Sequence, residues 1–203
     1  IKFLKTHHIN CELDQYEFTN SKNTLATIYI VRDPRNLVSS ISNHYSLTLE
    51  NSKKFLFTPQ FIEKKKKGEL VKDSIKTLLG TWDEHYKFWK HNNKDFLLIK
   101  YEDLIKNSRF ELERIINFIK KYTDVQSNED KNENIIKTTN FKYLQNLEEK
   151  GYFKENAYGT VNQKKKFFNL GPENNWKNLL DKKIIDEIET KFSAEMKELG
   201  YLK

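Results

Sequence analysis

Residues 27–40 constrain the fold more than any other stretch; they read Thr27-Ile28-Tyr29-Ile30-Val31-Arg32-Asp33-Pro34-Arg35-Asn36-Leu37-Val38-Ser39-Ser40. The first five are all β-branched or aromatic, the composition of a strand. Arg32-Asp33-Pro34-Arg35 then reads as a polar turn. Pro34 suits the first turn of a helix, where its missing N–H costs nothing. Leu37, Val38, Ile41 and Tyr45 recur at helical spacing. The unit is therefore a buried strand, a tight turn and a helix running to about Leu47. In an open parallel sheet, ligands bind beyond the carboxyl ends of the strands, and Arg32 stands at that end. Ser40 lies eight residues on, about two turns into the helix. An arginine and a hydroxyl so placed can grip one phosphate, the arginine through paired N–H donors.

Around this unit the chain alternates strands and helices. Ile1-Lys2-Phe3-Leu4-Lys5 reads as a short strand, with Thr6-His7-His8 beyond its end. Lys5 and His7 share a parity, so both can point the same way. A histidine there can act as a general base on an alcohol, since its ordinary pKa lies near neutrality. Residues 10–26 are polar and aperiodic, with a turn at Asn20–Asn23. Phe55, Leu56, Phe57 and Phe61 fit either a pocket cover or the core. Leu78, Trp82, Tyr86 and Trp89 form an apolar stripe and predict a helix over 74–91. Phe96–Lys100 is a second continuous apolar run, as in a strand buried on both faces. Tyr101-Glu102-Asp103 opens a helix to about Tyr122. Residues 123–134 read as a loop with an N-cap near Ser127 or Asn128. Residues 150–166 read as a polar lid loop. The last helix spans Lys182–Leu199, and Gly200 stops it. The lysine run Lys64–Lys67 reads as a solvated helix end.

Several of these motifs, in order, resemble the sulfotransferase family. Lys5-Thr6-His7 matches its Lys-Thr-His, and Arg32 with Ser40 matches its arginine and serine that hold the 3′-phosphate of PAPS (3′-phosphoadenosine 5′-phosphosulfate). Tyr101 matches a tyrosine near the adenine, while Thr139 and Phe141 match a Thr-Ser-Phe segment that touches the purine. Phe167, Gly171, Trp176 and Lys177 fall in register with the second 3′-phosphate motif. There Asn169 and Leu170 stand in place of an Arg-Lys pair, and Asn174-Asn175 in place of Gly-Asp. The resemblance covers nearly the whole chain. It implies an α/β domain with a parallel sheet flanked by helices, the P-loop-like sulfotransferase fold, over residues 1–203. It also implies His7 as base, Lys5 as stabiliser of the transferring group, and Arg32, Ser40, Tyr101, Thr139, Phe141, Asn169, Leu170 and Gly171 as donor-binding residues. The implied reaction moves a sulfuryl group from PAPS to a hydroxyl or amine of a small molecule or glycan, releases PAP and needs no metal. The family's phosphosulfate loop, Pro-Lys-Ser-Gly-Thr-Thr-Trp, is absent, so the sheet is expected to be incomplete at its start. The resemblance then places that loop ahead of Ile1 and implies that the 203-residue chain alone is inactive.

Composition bounds the alternatives. A chain of 203 residues with 13 % aromatics can bury a sizeable core. Three prolines and six glycines leave little room for a linker. The net charge of +7 fits a lysine-rich surface or a field that attracts an anion. One cysteine, Cys11, excludes an internal disulfide and fits a reducing compartment, so the cytoplasm is expected. No apolar run is long enough to span a bilayer, and nucleic acid is not an expected partner. Two other readings stay open. A P-loop kinase-like enzyme needs a Walker lysine, and the sequence contains no Gly-Lys pair. A non-catalytic module for polyanions needs only the basic surface.

Overall fold

The computed structural model describes residues 1–62, 76–153 and 165–203. The chain opens as extended backbone without a ladder, then forms a hairpin of β1 (Glu12–Leu13) and β2 (Tyr16–Glu17). Asp14 and Gln15 between them have φ of 50° and 70°, the left-handed pair that a tight hairpin turn requires. The expected turn follows, with the Asn23 N–H donating to the Asn20 carbonyl at 3.0 Å. Strand β3 (Thr27–Val31) leads into α1 (Pro34–Tyr45), where Asp33 caps the helix and Pro34 occupies its first turn. Helix α2 (Leu49–Phe57), capped by Thr48, comes next. A small antiparallel ribbon pairs β4 (Phe61–Ile62) with β5 (Thr77–Leu78). Then follow α3 (Trp82–His91), β6 (Phe96–Lys100), α4 (Tyr101–Lys106), α5 (Ser108–Ile119), α6 (Glu129–Thr138) and α7 (Phe141–Glu149). A 3-10 turn at Gly171–Glu173 precedes α8 (Trp176–Leu179), α9 (Lys182–Lys191) and α10 (Ser193–Glu198).

The feature that positions the site is the parallel pair of β3 and β6. Thr27 lies opposite Phe96, and the register runs without a bulge to Val31 opposite Lys100. Both strands thus end at the same level, and the next residues on each, Arg32 and Tyr101, emerge side by side. Val31, Val38, Trp82, Ile188, Phe192 and Met196 are among the residues that pack into one apolar cluster beneath that end. Phe57 and Leu56 belong to this packing, whereas Phe61 is largely exposed.

Several expected elements differ. Ile1–Lys5 forms no strand: no described strand runs beside it, and Phe3 and Leu4 remain 67 % and 78 % exposed. The helix expected over 74–91 begins only at Trp82. Gly80 turns the chain at φ +69°, and Thr81 with Glu84 forms a capping box that defines the start. Leu78 lies four residues before Trp82 and mimics helical period from a strand. The helix expected to reach Tyr122 breaks at Asn107, which leaves helical geometry at φ −131°. Residues 129–134 are helical rather than loop, behind the expected cap at Asn128. The last helix breaks at Phe192, which is fully buried between Phe57 and Trp82, with ring centroids 5.3 and 5.1 Å away. Burial of that ring is worth about 3–5 kcal/mol, and the Phe192 N–H and carbonyl keep their bonds to Ile188 and Met196 across the break. Gly200 does end the segment in left-handed geometry. The run Lys64–Lys67 and most of the expected lid loop lie outside the described residues.

Candidate functional site

Arg32 leaves the end of β3 and folds its guanidinium back over the first turn of the strand–helix unit. Its Nη1 donates to Ser40 Oγ at 3.0 Å, across the spacing read from the sequence. Its Cζ lies 4.3 Å from the centre of the Tyr101 ring, a cation–π distance. The Trp82 indole N–H donates to the Arg32 carbonyl at 3.2 Å and holds the backbone at the turn. Burial pulls the Arg32 pKa below its ordinary value, while Tyr101, Glu102 and Asp33 oppose that shift. Arginine still stays charged under all ordinary conditions.

The charge of Arg32 has no direct carboxylate partner among the described residues. Asp33 is engaged by Arg35, whose Nη2 lies 2.7 Å from it. Glu102 accepts from the Asp33 N–H at 3.2 Å and from the Tyr201 hydroxyl at 3.0 Å. Arg32 Nε is buried with no hydrogen-bond partner among the described residues. A half-buried cation whose buried donor is orphaned is costly unless something anionic completes it. The neighbouring Arg35 is the contrast. It is buried, paired with Asp33 and Glu189, and stacked 4.0 Å over Trp176. Arg35 therefore holds the fold, and Arg32 is the arginine with capacity to spare.

A second cluster meets the first through the 3-10 turn. Gly171 has φ +51°, and a Cβ there would lie 2.3 Å from the Phe141 ring, so this close approach requires glycine. The Asn174 N–H donates to the Gly171 carbonyl at 3.2 Å. The Asn174 side chain reaches α1, donating from Nδ2 to the Asn36 carbonyl at 3.0 Å and to Ser40 Oγ at 3.2 Å. Leu170 is half-buried and its carbonyl accepts from the Glu173 N–H at 3.0 Å. Asn169 is exposed, with its N–H on the Phe167 carbonyl. Thr139 is exposed at the end of α6 and its hydroxyl donates to the Ile135 carbonyl of its own helix.

Lys5 and His7 sit on the exposed N-terminal segment. Side chains of α3 tether the backbone just beyond them. Trp89 Nε1 donates to the His8 carbonyl at 2.9 Å, Asn92 Nδ2 to the Asn10 carbonyl at 2.9 Å, and His85 Nε2 meets the His7 carbonyl at 3.3 Å. A carbonyl only accepts, so Nε2 carries the His85 proton. Nδ1 is then the acceptor for the Tyr29 hydroxyl, 2.8 Å away. Burial pushes the His85 pKa down to about 4 and keeps the ring neutral. His7 is thus linked through His85 to Tyr29 on β3, three residues before Arg32. His8 turns away, stacking on Phe18 with ring centroids 4.4 Å apart.

The structure therefore gathers Arg32, Ser40 and Tyr101 into one cluster and joins Phe141 and Gly171 to it through Asn174. Among the described residues Lys5 and Thr139 belong to neither cluster, and the contact that ties His7 to α3 runs through its backbone carbonyl to His85. Asn174, His85 and Glu102 were not singled out by the sequence. His85 had a usable signal in its four-residue spacing from Trp89 on one helix face. Glu102 had none, because its partners lie far away along the chain, and Asn174 had only its place in a motif that otherwise carries glycine.

The sequence and the fold match known proteins. The family model described as "Sulfotransferase domain" matches residues 2–200. Sulfotransferase 2B1 of Mus musculus is 32 % identical over 57 % of this chain and 32 % of its own length. The 3-beta-hydroxysteroid sulfotransferase of Cavia porcellus is 27 % identical over 72 % of this chain and 47 % of its own. Sulfotransferase 2A1 of Macaca fascicularis is 26 % identical over 97 % of this chain and 64 % of its own. The chain thus spans between a third and two thirds of the length of these relatives. Two solved structures share the fold. Mouse sulfotransferase SULT7A1 complexed with PAP superposes with a TM-score of 0.56 at 19 % identity, over 85 % of this chain and 58 % of its own. Retinol dehydratase in complex with androsterone and inactive cofactor PAP gives 0.57 at 17 % identity, over 85 % and 47 %.

Proposed function

The chain belongs to the sulfotransferase domain family, and on that premise we propose that the protein transfers a sulfuryl group from PAPS to a hydroxyl or amine of a small molecule or glycan and releases PAP. The observation that carries this reading is the half-buried Arg32 guanidinium, with Ser40 on Nη1, Tyr101 against its face and no partner among the described residues on its buried Nε. A phosphate is the group such an arginine recognises best, through two parallel charged hydrogen bonds. The two structural neighbours were both solved with PAP, which supports the same donor class.

In this reading Arg32 and Ser40 hold the 3′-phosphate, Tyr101 and Phe141 bound the space for the adenine, and Gly171 lets the turn approach the phosphate closely. Thr139 stands at the purine side, and Asn169 and Leu170 line the turn without charge. Bound PAPS supplies an electrophilic sulfur whose bond to the bridging oxygen of PAP breaks as the bond to the acceptor forms. His7 takes the proton from the acceptor hydroxyl or amine, which its exposed position permits. Lys5 offers positive charge where negative charge grows on the leaving oxygen. Residues 1–203 act as one domain, and the lone Cys11 fits work in the cytoplasm. No described helix is long and apolar enough to cross a membrane.

The test is transfer from PAPS to a panel of alcohols and amines by the full-length protein, with PAP titrated separately. His7→Ala should lower turnover by about 100-fold or more while leaving PAP affinity unchanged. A protein that neither binds PAP nor sulfates any member of the panel is not doing this chemistry.

A further inference from the structure

We infer that Asn174 is a positioning residue that fixes the Ser40 hydroxyl as a donor toward a bound phosphate. The inference rests on the proposal that Arg32 and Ser40 hold that phosphate. A hydroxyl carries one donor and two acceptor sites. At Ser40 both acceptor sites are taken, by Arg32 Nη1 at 3.0 Å and by Asn174 Nδ2 at 3.2 Å. Only the O–H remains to be directed. In this structure it points to the Asn36 carbonyl at 3.3 Å, its longest contact.

That carbonyl does not depend on Ser40. It also accepts from Asn174 Nδ2 at 3.0 Å and lies 3.1 Å from Ser39 Oγ. The Ser40 hydrogen can therefore swing to an incoming anion without leaving a buried carbonyl unsatisfied. The amide orientation is determined by its partners. The Asn36 carbonyl can only accept, so it must face Nδ2, and Ser39 Oγ then donates to Oδ1 at 2.7 Å. Asn174 is 8 % exposed, so water competes little for these bonds.

The position is informative. Asn174 stands where the resembling motif carries glycine, and Asn169 and Leu170 stand where it carries two cations. With those charges gone, the neutral hydroxyl weighs more in holding the phosphate, and the asparagine supplies a constraint that glycine cannot.

The test is calorimetric titration of the full-length protein with PAP and with adenosine 5′-monophosphate, which lacks the 3′-phosphate. The variants are Asn174→Ala, Ser40→Ala, the double variant, Asn174→Asp and Arg32→Ala. Asn174→Ala should weaken PAP by about 3–10-fold, the size of one modest hydrogen bond, and leave the monophosphate unchanged. In the Ser40→Ala background it should add nothing. Asn174→Asp is near-isosteric and keeps the Ser39 bond, which guards against misfolding. It removes the donor and adds a negative charge, so PAP should weaken by more than ~10-fold. Unchanged PAP affinity in both Asn174 variants, equal losses for both nucleotides, or an Asn174→Ala loss that persists in Ser40→Ala would each overturn the inference. Arg32→Ala separates the two levels. If it spares the preference for PAP, the phosphate site itself is wrong; if it abolishes that preference while the Asn174 variants keep it, only the role of Asn174 falls.

Discussion

The guanidinium carbon of Arg32 lies 4.3 Å from the centre of the Tyr101 ring, although the two residues follow different strands. They meet because β3 and β6 run parallel in unbroken register and end together at Val31 and Lys100. A one-residue slip would send one of the two side chains to the opposite face. The contact is thus a consequence of strand pairing, and it places a cation and an aromatic face at the end of the sheet where ligands of open α/β folds bind.

Arg32 and Arg35 should respond to substitution in opposite ways. Arg35→Ala breaks buried pairs with Asp33 and Glu189 and a stack on Trp176, and should cost about 3–5 kcal/mol of stability. Arg32→Ala removes a half-buried charge that lacks a carboxylate partner among the described residues, and stability should be unchanged or slightly higher. Urea midpoints of the two variants measure this directly. A larger loss at Arg32 than at Arg35 would reverse the assignment.

Gly171→Ala should destabilise the turn through two separable effects. Left-handed backbone costs an alanine roughly 1–2 kcal/mol, and the new methyl meets the Phe141 ring. In a Phe141→Ala background only the backbone cost should remain. The double variant should therefore lose less stability than the sum of the two single losses, and strict additivity would mean that Phe141 does not crowd Gly171.

Much of this site was legible in the sequence, and the reason is locality. Arg32 and Ser40 lie on one strand–turn–helix unit, so spacing alone brings them together. Strand β6 was legible as a continuous apolar run, and its register with β3 then fixed Tyr101. Legibility failed where partners are distant or where two periods coincide. Asn174 reaches Asn36 and Ser40 across more than 130 residues, and its only sequence signal was its place where the resembling motif carries glycine. Leu78 sits one helical turn before Trp82 and disguised a strand as helix, although Thr81 and Glu84 carried the correct boundary. Phe192 broke the last helix because its ring packs against Phe57 and Trp82, a tertiary demand invisible in helical periodicity.

His85 should make stability depend on pH in a defined window. Its folded pKa is about 4, below the ordinary value near 6.5. The unfolded chain therefore binds the extra proton first. Stability is fully present above about pH 6.5 and falls as pH drops toward 4, below which no further loss arises from this group. Partial exposure to water limits the effect to the order of 1–3 kcal/mol. The loss should be smaller in His85→Gln, which cannot titrate. Denaturation midpoints at pH 7 and pH 5 for both proteins test it, and identical pH dependence would remove His85 as the cause.

The most direct measurement is the affinity of the full-length protein for PAP and for adenosine 5′-monophosphate, with and without Arg32→Ala. The account predicts that the native protein prefers PAP. Arg32→Ala should cost PAP about 1.5–3 kcal/mol, the worth of hydrogen bonds to a charged group, and should hardly change the monophosphate. Equal losses for the two nucleotides, or no preference for PAP in the native protein, would contradict the claim that Arg32 holds the 3′-phosphate.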